Sequence, residues 1–350
     1  MSRFSISVLL VVLVKLTAAQ DVHWSQPAGP LVFQNPAFAG LTSRYYIAGS
    51  YRDQWNVLGQ TYRTALLSAD YRLQKDELKN SVSMGASFFS DNMASGAYRQ
   101  TVGRVCLSYQ VMVNENSRLS GGVAYSFIQS SIFTDPYTWG SQFNGLSYDP
   151  SLKGEPVSWG RKTASSVGCG VSYFFDADPG AVSYYNNAKW MAGYSLDHVN
   201  RPDAGMFGLA EPLKMRHGIF LSGFIPAGGN NGLKPLLSGY LQGPAMQLAG
   251  GLLVRYSLGQ ISRYTGIKQG EGISFGVLYR SNDALIPTFE YERGNMLAGI
   301  SYDVTLSKFG AATNLRGGIE ISLRLRALSN YLYKEKTPAP APSTRRFPGT

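Results

Sequence analysis

The sequence predicts an all-β fold, namely a transmembrane antiparallel up-and-down β-barrel of about 14 strands. Segments of alternating apolar and polar residues, most of them about ten residues long, are separated by turn residues, which is typical of barrel strands. Only 15% of the 350 residues are charged although 44% are apolar, and soluble domains typically carry roughly 25% charge. Tyrosine and tryptophan recur near the segment ends, as in an interfacial girdle. A soluble sandwich is less well supported, because its outer faces would carry more charge.

The first element, residues 1–19, reads as a secretory signal peptide. Arg3 precedes an apolar run from Ile6 to Val14, and the small residues that follow predict cleavage before Gln20. This run is too short to span a bilayer, and no later run approaches the roughly 20 residues that a transmembrane helix needs. Membrane insertion is therefore expected to use strands.

Residues 20–44 are predicted to form an N-terminal periplasmic or plug segment. Pro27, Pro30 and Pro36 prevent regular strand pairing. Phe33 and Phe38 nevertheless need cover from water. We expect this segment to fold into the periplasmic mouth or the lumen of the barrel.

Residues 45–326 are predicted to be the barrel itself. The last strand shows the pattern most clearly, because Ile319, Ile321, Leu323 and Leu325 share one face and charged or small residues occupy the other. The alternating segments, in chain order, are 45–51, 65–73, 82–88, 105–111, 119–127, 167–175, 190–196, 219–221, 237–241, 248–258, 273–279, 285–291, 296–304 and 319–325. The ninth is expected to be weak because of Pro235. An even strand number places both termini on the periplasmic side.

The connections and the tail complete the domain plan. Residues 131–162 and 199–213 are predicted outer loops, whereas 176–188 and 259–271 are longer than periplasmic turns usually are. Residues 327–350 contain alternating proline and a basic end, so they predict a Pro-rich basic periplasmic tail. Basic residues spread over many strands do not predict nucleic-acid binding.

Charged residues on the polar face of the last five strands are predicted to form a lumen charge network. They are Arg255, Arg280, Glu290, Glu292, Asp303, Glu320 and Arg324. Charges in a confined lumen must pair with one another or line water. Two interpretations follow, a lumen closed by salt bridges, which is favoured, or a selective conduit.

Catalytic and metal-binding patterns are not found, so the sequence predicts no enzyme, no cofactor and no metal site. The three histidines have no zinc-site spacing, and no G-x-S-x-G elbow is present. Asp197 and His198 are adjacent, which in a strand directs them to opposite faces. Cys106 is predicted to face the lumen and Cys169 the lipid, so we expect two free thiols.

Five blocks of the sequence form a distinctive ordered set, namely Leu31-Val-Phe-Gln-Asn-Pro-Ala-Phe-Ala-Gly40, Tyr51-Arg-Asp-Gln-Trp55, Trp190-Met-Ala-Gly-Tyr-Ser-Leu-Asp-His198, Ala298-Gly-Ile-Ser-Tyr-Asp-Val-Thr-Leu-Ser-Lys308 and Arg316-Gly-Gly-Ile-Glu-Ile-Ser-Leu323. These blocks resemble the PorP/SprF family of Bacteroidetes outer-membrane proteins. The resemblance runs from about residue 23 to residue 325. It implies a barrel of the type IX secretion system, either a component near the periplasmic ring or a partner of gliding adhesins. The Pro-rich tail departs from the family pattern.

The resemblance and the predicted loops together suggest residues for partner contact. They are Phe33, Asn35, Pro36, Arg52, Trp55, Trp139 and Trp159. The first three have a simpler interpretation as a plug of the barrel mouth, and Trp55 as a girdle residue. The expected partners are outer-membrane lipid and ring components or large surface adhesins, with no small-molecule substrate. The alternative function is a diffusion channel or a transporter of hydrophobic substrates.

Overall fold

The computed structural model describes residues 24–55, 61–74, 80–93, 98–133, 138–153, 160–179, 185–206, 210–259, 270–307 and 309–326. The predicted signal peptide, the tail and Trp159 lie outside the described residues. Among those described, no helix is both long enough and apolar enough to cross a membrane.

The described chain forms a closed barrel of 14 antiparallel strands, each paired with its sequence neighbours, and β1 closes the barrel against β14. This confirms the predicted fold and strand number. The strands are β1 Tyr45–Gln54, β2 Tyr62–Arg72, β3 Ser81–Met93, β4 Tyr98–Asn114, β5 Ser117–Ile132, β6 Arg161–Asp176, β7 Lys189–Asp197, β8 Arg216–Gly228, β9 Asn231–Gln242, β10 Ala245–Ser257, β11 Glu271–Arg280, β12 Ala284–Arg293, β13 Met296–Thr305 and β14 Arg316–Arg326.

The two ends of the barrel differ in their connections. Tyr46 pairs with Arg326, so the chain enters and leaves the barrel at one edge, which we name the terminal rim. The opposite edge, the far rim, carries the long connections between β5 and β6 and between β7 and β8. The connections from β6 to β7 and from β10 to β11 are the longer ones of the terminal rim.

Alternation along each strand sends apolar side chains outward and polar ones inward. Leu67, Phe88 and Val105 are more than half exposed on the outer surface, whereas Arg104 and Ser108 are buried inside. This inverts the usual core of a soluble domain and is the arrangement of a barrel whose outer wall meets hydrocarbon. Cys106 is buried, Cys169 is exposed and both are free, which confirms the predicted faces of the two thiols.

The ninth strand is more regular than the sequence suggests. It runs from Asn231 to Gln242 with Pro235 in its interior, opposite Leu252 of β10. On the β8 side the pairing steps from Ser222–Leu236 to Ile225–Leu233. The proline therefore falls at an interruption of the ladder to β8, where a missing backbone N–H is least costly.

Helical structure in the described residues is limited to short pieces. The segment before β1 contains α1, Leu31–Gln34, and a 3-10 turn, Pro36–Phe38. A second 3-10 turn, Gly140–Gln142, lies in the connection from β5 to β6, and α2, Phe309–Thr313, lies between β13 and β14.

Candidate functional site: a plugged, charge-lined lumen

Residues 24–41, which we name the plug, lie inside the barrel. Asn35 organises its local shape, because its side-chain Oδ1 accepts a hydrogen bond from the Ala37 N–H at 2.9 Å and so caps the 3-10 turn. Pro36 follows at the first helical position, where its missing N–H costs nothing. The sequence Asn-Pro thus gives the plug a defined turn in its middle.

The plug is bonded to strands on several sides of the lumen. The Asn35 amide donates to Val171 O of β6 and Tyr194 O of β7, each at 3.1 Å. Gln110 of β4 donates to Ala39 O at 2.8 Å. These contacts satisfy buried polar groups that would otherwise cost several kcal/mol in total.

The inner wall accommodates the plug at Gly122 of β5, where the lack of a side chain allows close approach. A Cβ on Gly122 of β5 would lie 2.6 Å from both Ala37 N and Pro36 C, far closer than ordinary van der Waals contact. The plug turn therefore rests directly on the backbone of β5. At its other end Gly40 adopts φ +65, and its N–H donates to Asp70 Oδ1 at 2.7 Å.

The start of the plug completes a buried ion cluster toward the far rim. Asp303 accepts from Arg52 and Arg280, each at 2.6 Å, and from the Ser25 hydroxyl at 2.6 Å. Glu320 accepts from the backbone N–H groups of Ser25 at 2.6 Å and Gln26 at 3.2 Å. All of these side chains are buried. The cluster joins β1, β11, β13 and β14 to the plug.

A second ion cluster lies nearer the terminal rim. Glu290 pairs with Arg324 at 3.0 Å and with Lys234. Arg324 also donates to the Gln26 side chain at 3.1 Å, and Glu292 pairs with Arg255 at 2.9 Å. The seven lumen charges named from the sequence are all buried inside the barrel, and the plug is part of both clusters.

A third buried ion cluster was not predicted from the sequence. Asp197 forms an ion pair with Arg104 at 2.9 Å and accepts a hydrogen bond from Arg216 at 3.0 Å. Arg104 also donates to Phe33 O at 3.3 Å, and the Arg216 guanidinium lies over the Phe33 ring at 5.8 Å. Asp197 and Arg216 are cross-strand partners in the consecutive strands β7 and β8, whereas Arg104 of β4 is distant in sequence, so its meeting with them could not be predicted.

The predicted opposite orientation of Asp197 and His198 is wrong. Both side chains are buried in the lumen, because His198 has a left-handed backbone conformation with φ +58 just after β7 ends. Its Nδ1 lies 2.8 Å from the Ser166 hydroxyl. Nucleophilic catalysis uses such a pair, and the neighbouring cavity, lined in part by Phe33 of the plug, has a volume of about 30 Å³, which is room for about two waters.

The candidate partner residues fall into two groups. Phe33, Asn35, Pro36 and Arg52 are buried in the lumen, where their contacts are with the barrel and the plug. Trp55, at the far-rim end of β1, packs edge to face on Tyr62 with ring centroids 5.0 Å apart.

The other two tryptophans belong to the connection from β5 to β6. Trp139 is half-buried at the start of its 3-10 turn, and Trp159 lies outside the described residues. Among the described residues, no group of three or more His, Cys, Asp or Glu side chains could hold a metal ion.

The profile of the family described as type IX secretion system membrane protein PorP/SprF matches residues 16–325. A search of curated proteins found no match.

Solved structures that resemble the chain are outer-membrane-type barrels of low sequence identity. The translocator domain of autotransporter NalP from Neisseria meningitidis is 10% identical with a TM-score of 0.35, covering 93% of this chain and 95% of that one. The TodX deltaS2S3 mutant, a monoaromatic hydrocarbon channel, is 10% identical with a TM-score of 0.46, covering 84% and 92%. BamA from Haemophilus ducreyi lacking POTRA domains 1–3 is 9% identical with a TM-score of 0.40, covering 81% and 70%.

Proposed function

This chain belongs to the PorP/SprF family of type IX secretion system membrane proteins, and from that premise we propose that it is a non-conducting outer-membrane scaffold of the secretion system. It scaffolds either the secretion machinery or the export and attachment of large cell-surface adhesins. In this role it is not an enzyme, and it presents fixed binding surfaces on the two sides of the membrane.

The observation that carries this proposal is the plug. A solute conduit needs a continuous wet path, whereas here residues 24–41 occupy the lumen and their polar groups bond to strands on several sides. The lumen charges are paired with one another and with the plug, which supports a closed lumen. Paired, buried charges favour a rigid closed barrel over a selective channel.

The mechanism is scaffolding. A closed sheet holds its connecting loops in fixed relative positions, because each strand is hydrogen-bonded on both sides. We assign the terminal rim, with both chain ends, to the periplasm and to ring components. The far rim, with the long connections at 133–160 and 198–215 and with Trp55 and Trp139, then faces secreted cargo. Aromatic side chains at such a rim are suited to protein contact.

Affinity purification of the tagged protein in mild detergent tests this proposal. We expect ring components or a giant surface adhesin to co-purify, and a gene deletion to remove specific proteins from the cell surface. The rim variants Trp55→Ala and Trp139→Ala should weaken cargo capture, whereas Leu67→Ala on the lipid-facing wall is the matched control. An unchanged surface proteome and motility in the deletion strain would argue against the role in secretion.

Conductance in planar bilayers separates the scaffold from the alternative, a diffusion channel. The intact protein should be silent, and a variant that lacks residues 24–41 should show steady ohmic openings. Steady openings of the intact protein, together with a solute-uptake defect in the deletion strain, would favour the diffusion channel.

A further inference from the structure

The plug leaves a cavity beside it in the terminal-rim half of the lumen. The plug contacts strands around the wall, from β2 and β4 to β13 and β14, and a cavity of about 160 Å³ remains between it and the inner faces of β1 and β6 to β14. We name this space the terminal-rim cavity, because residues at the terminal rim, such as Tyr46 and Arg326, line its mouth.

The walls of this cavity become more apolar away from the terminal rim. Phe224, Leu253 and Leu278 lie four or more residues in from the terminal-rim ends of their strands and are buried, whereas Leu297 pairs with Arg324 nearer the rim. Polar residues are the rule on the inner face of a barrel, so a group of large apolar side chains around an unfilled space is unusual there. Such a space favours an apolar guest over water.

The mouth of the cavity is cationic. Lys189, Lys234, Arg324 and Arg326 line it together with a single carboxylate, Glu290. The acidic partners of Lys189 and Arg326, which are Asp176 and Glu292, are not part of its lining. Counted with these partners and with Arg255, which shares Glu292, five cations face three carboxylates, so the mouth keeps an excess of positive charge. All four lining cations come from strand positions within four residues of the terminal rim.

We propose that the terminal-rim cavity binds a single-chain amphiphile, with a short acyl chain inside and an anionic carboxylate or phosphate head at the rim. A water needs roughly 10–15 Å³ by the same measure, so the space suits a guest of about ten non-hydrogen atoms. Apolar burial of the chain supplies the driving force, and the cations favour an anionic head. A free fatty acid and a lipid-derived phosphate share this chemistry.

Equilibrium dialysis of the full chain in lipid nanodiscs tests the site, with labelled octanoate and octyl phosphate as probes and empty nanodiscs as the background. We expect one saturable site per barrel. The relative affinity of the two probes indicates whether the head is carboxylate or phosphate. Octanol, which lacks the charge, should bind at least fivefold more weakly than octanoate.

Two neighbouring positions of β9 provide the decisive variants. Leu236 lines the cavity, whereas Leu237 is exposed on the lipid-facing wall. Leu236→Trp should lower octanoate affinity at least tenfold, and Leu237→Trp should leave it unchanged. Lys234→Met should weaken octanoate but not octanol. Heat-modifiable migration in gels checks that each variant is a folded barrel.

Three results would overturn the proposal. They are the absence of saturable binding to the full chain, equal binding to folded Leu236→Trp and Leu237→Trp variants, and octanol binding as tight as that of octanoate. None of them bears on secretion, which the purification and deletion experiments measure separately.

Discussion

A single methyl group added at Gly122 should disturb the plug without disturbing the barrel. The Cβ of a Gly122→Ala variant would lie 2.6 Å from Ala37 N, so the plug must withdraw by about 0.8 Å to reach an ordinary contact of 3.4 Å. The wall cannot give way, because β5 is bonded to β4 and to β6 along its length. Overpacking of this kind costs about 1–3 kcal/mol. The neighbouring residue Gly121 offers the control, since a Cβ there meets nothing within 4 Å.

Hydrogen exchange of the plug backbone measures the effect. Exchange of the Phe38 and Ala39 amides, which bond to Asn35 O and Pro36 O, should be about 5- to 150-fold faster in Gly122→Ala than in Gly121→Ala, since about 1.4 kcal/mol corresponds to a factor of ten. Both variants share the effect of replacing glycine in a strand, so their difference isolates the plug contact. Equal exchange in two folded variants would refute the placement of the plug against β5.

Three further predictions concern the plug anchor, the ion cluster and the far-rim loop. Asn35→Ala removes three hydrogen bonds worth about 1 kcal/mol each, so hydrogen exchange of the plug amides should be about 100-fold faster. The control is Asn116→Ala at the terminal rim, which also removes a side-chain amide that donates to two backbone carbonyls. This variant should leave exchange of the plug amides unchanged. Asp303→Asn leaves two buried guanidinium groups without their shared carboxylate and should lower the free energy of unfolding by about 3–5 kcal/mol in urea titrations in lipid vesicles, and an unchanged midpoint would contradict the cluster. Hydrogen bonds from Lys162 and from two backbone N–H groups lower the pKa of Asp203 to about 2. The Asp203–Lys162 ion pair should therefore stabilise the fold fully above about pH 4 and be lost as the pH falls through about 2. An NMR titration of the Asp203 carboxyl group with a midpoint near 4 would contradict this.

The sequence predicted the strand faces and the strand number because the environment of each residue in a barrel wall depends only on its position within its own strand. Each residue meets either lipid or lumen, and its neighbour meets the opposite environment, so Leu67 outside and Ser68 inside can be assigned without knowing the partner strand. The lumen position of Asp303 and Glu320 followed in the same way. The weak ninth strand expected from Pro235 did not follow, because the free-energy cost of its missing N–H depends on whether that position is paired with a neighbouring strand. Pairing is a property of the register, which the sequence alone does not show.

Contacts across the lumen could not be predicted, because they depend on where distant residues meet. The cluster of Arg104, Asp197 and Arg216 unites strands β4, β7 and β8. His198 shows a second limit, since the alternation rule holds only while the chain is extended and fails at the first residue with a left-handed backbone. The cavity beside β9 likewise depends on how much of the lumen the plug fills, which is a property of the folded chain.

The two interpretations of the lumen charges, a closed network and a conduit, are connected through the plug. Glu320 is buried and accepts from the backbone N–H groups of Ser25 and Gln26. If the plug left, this carboxylate would lose those donors, and a buried carboxylate without partners is too costly to keep. Water would then enter to solvate it, or the carboxyl group would take up a proton. A closed lumen with an ionised Glu320 therefore requires the plug, so conductance reports on the position of residues 24–41.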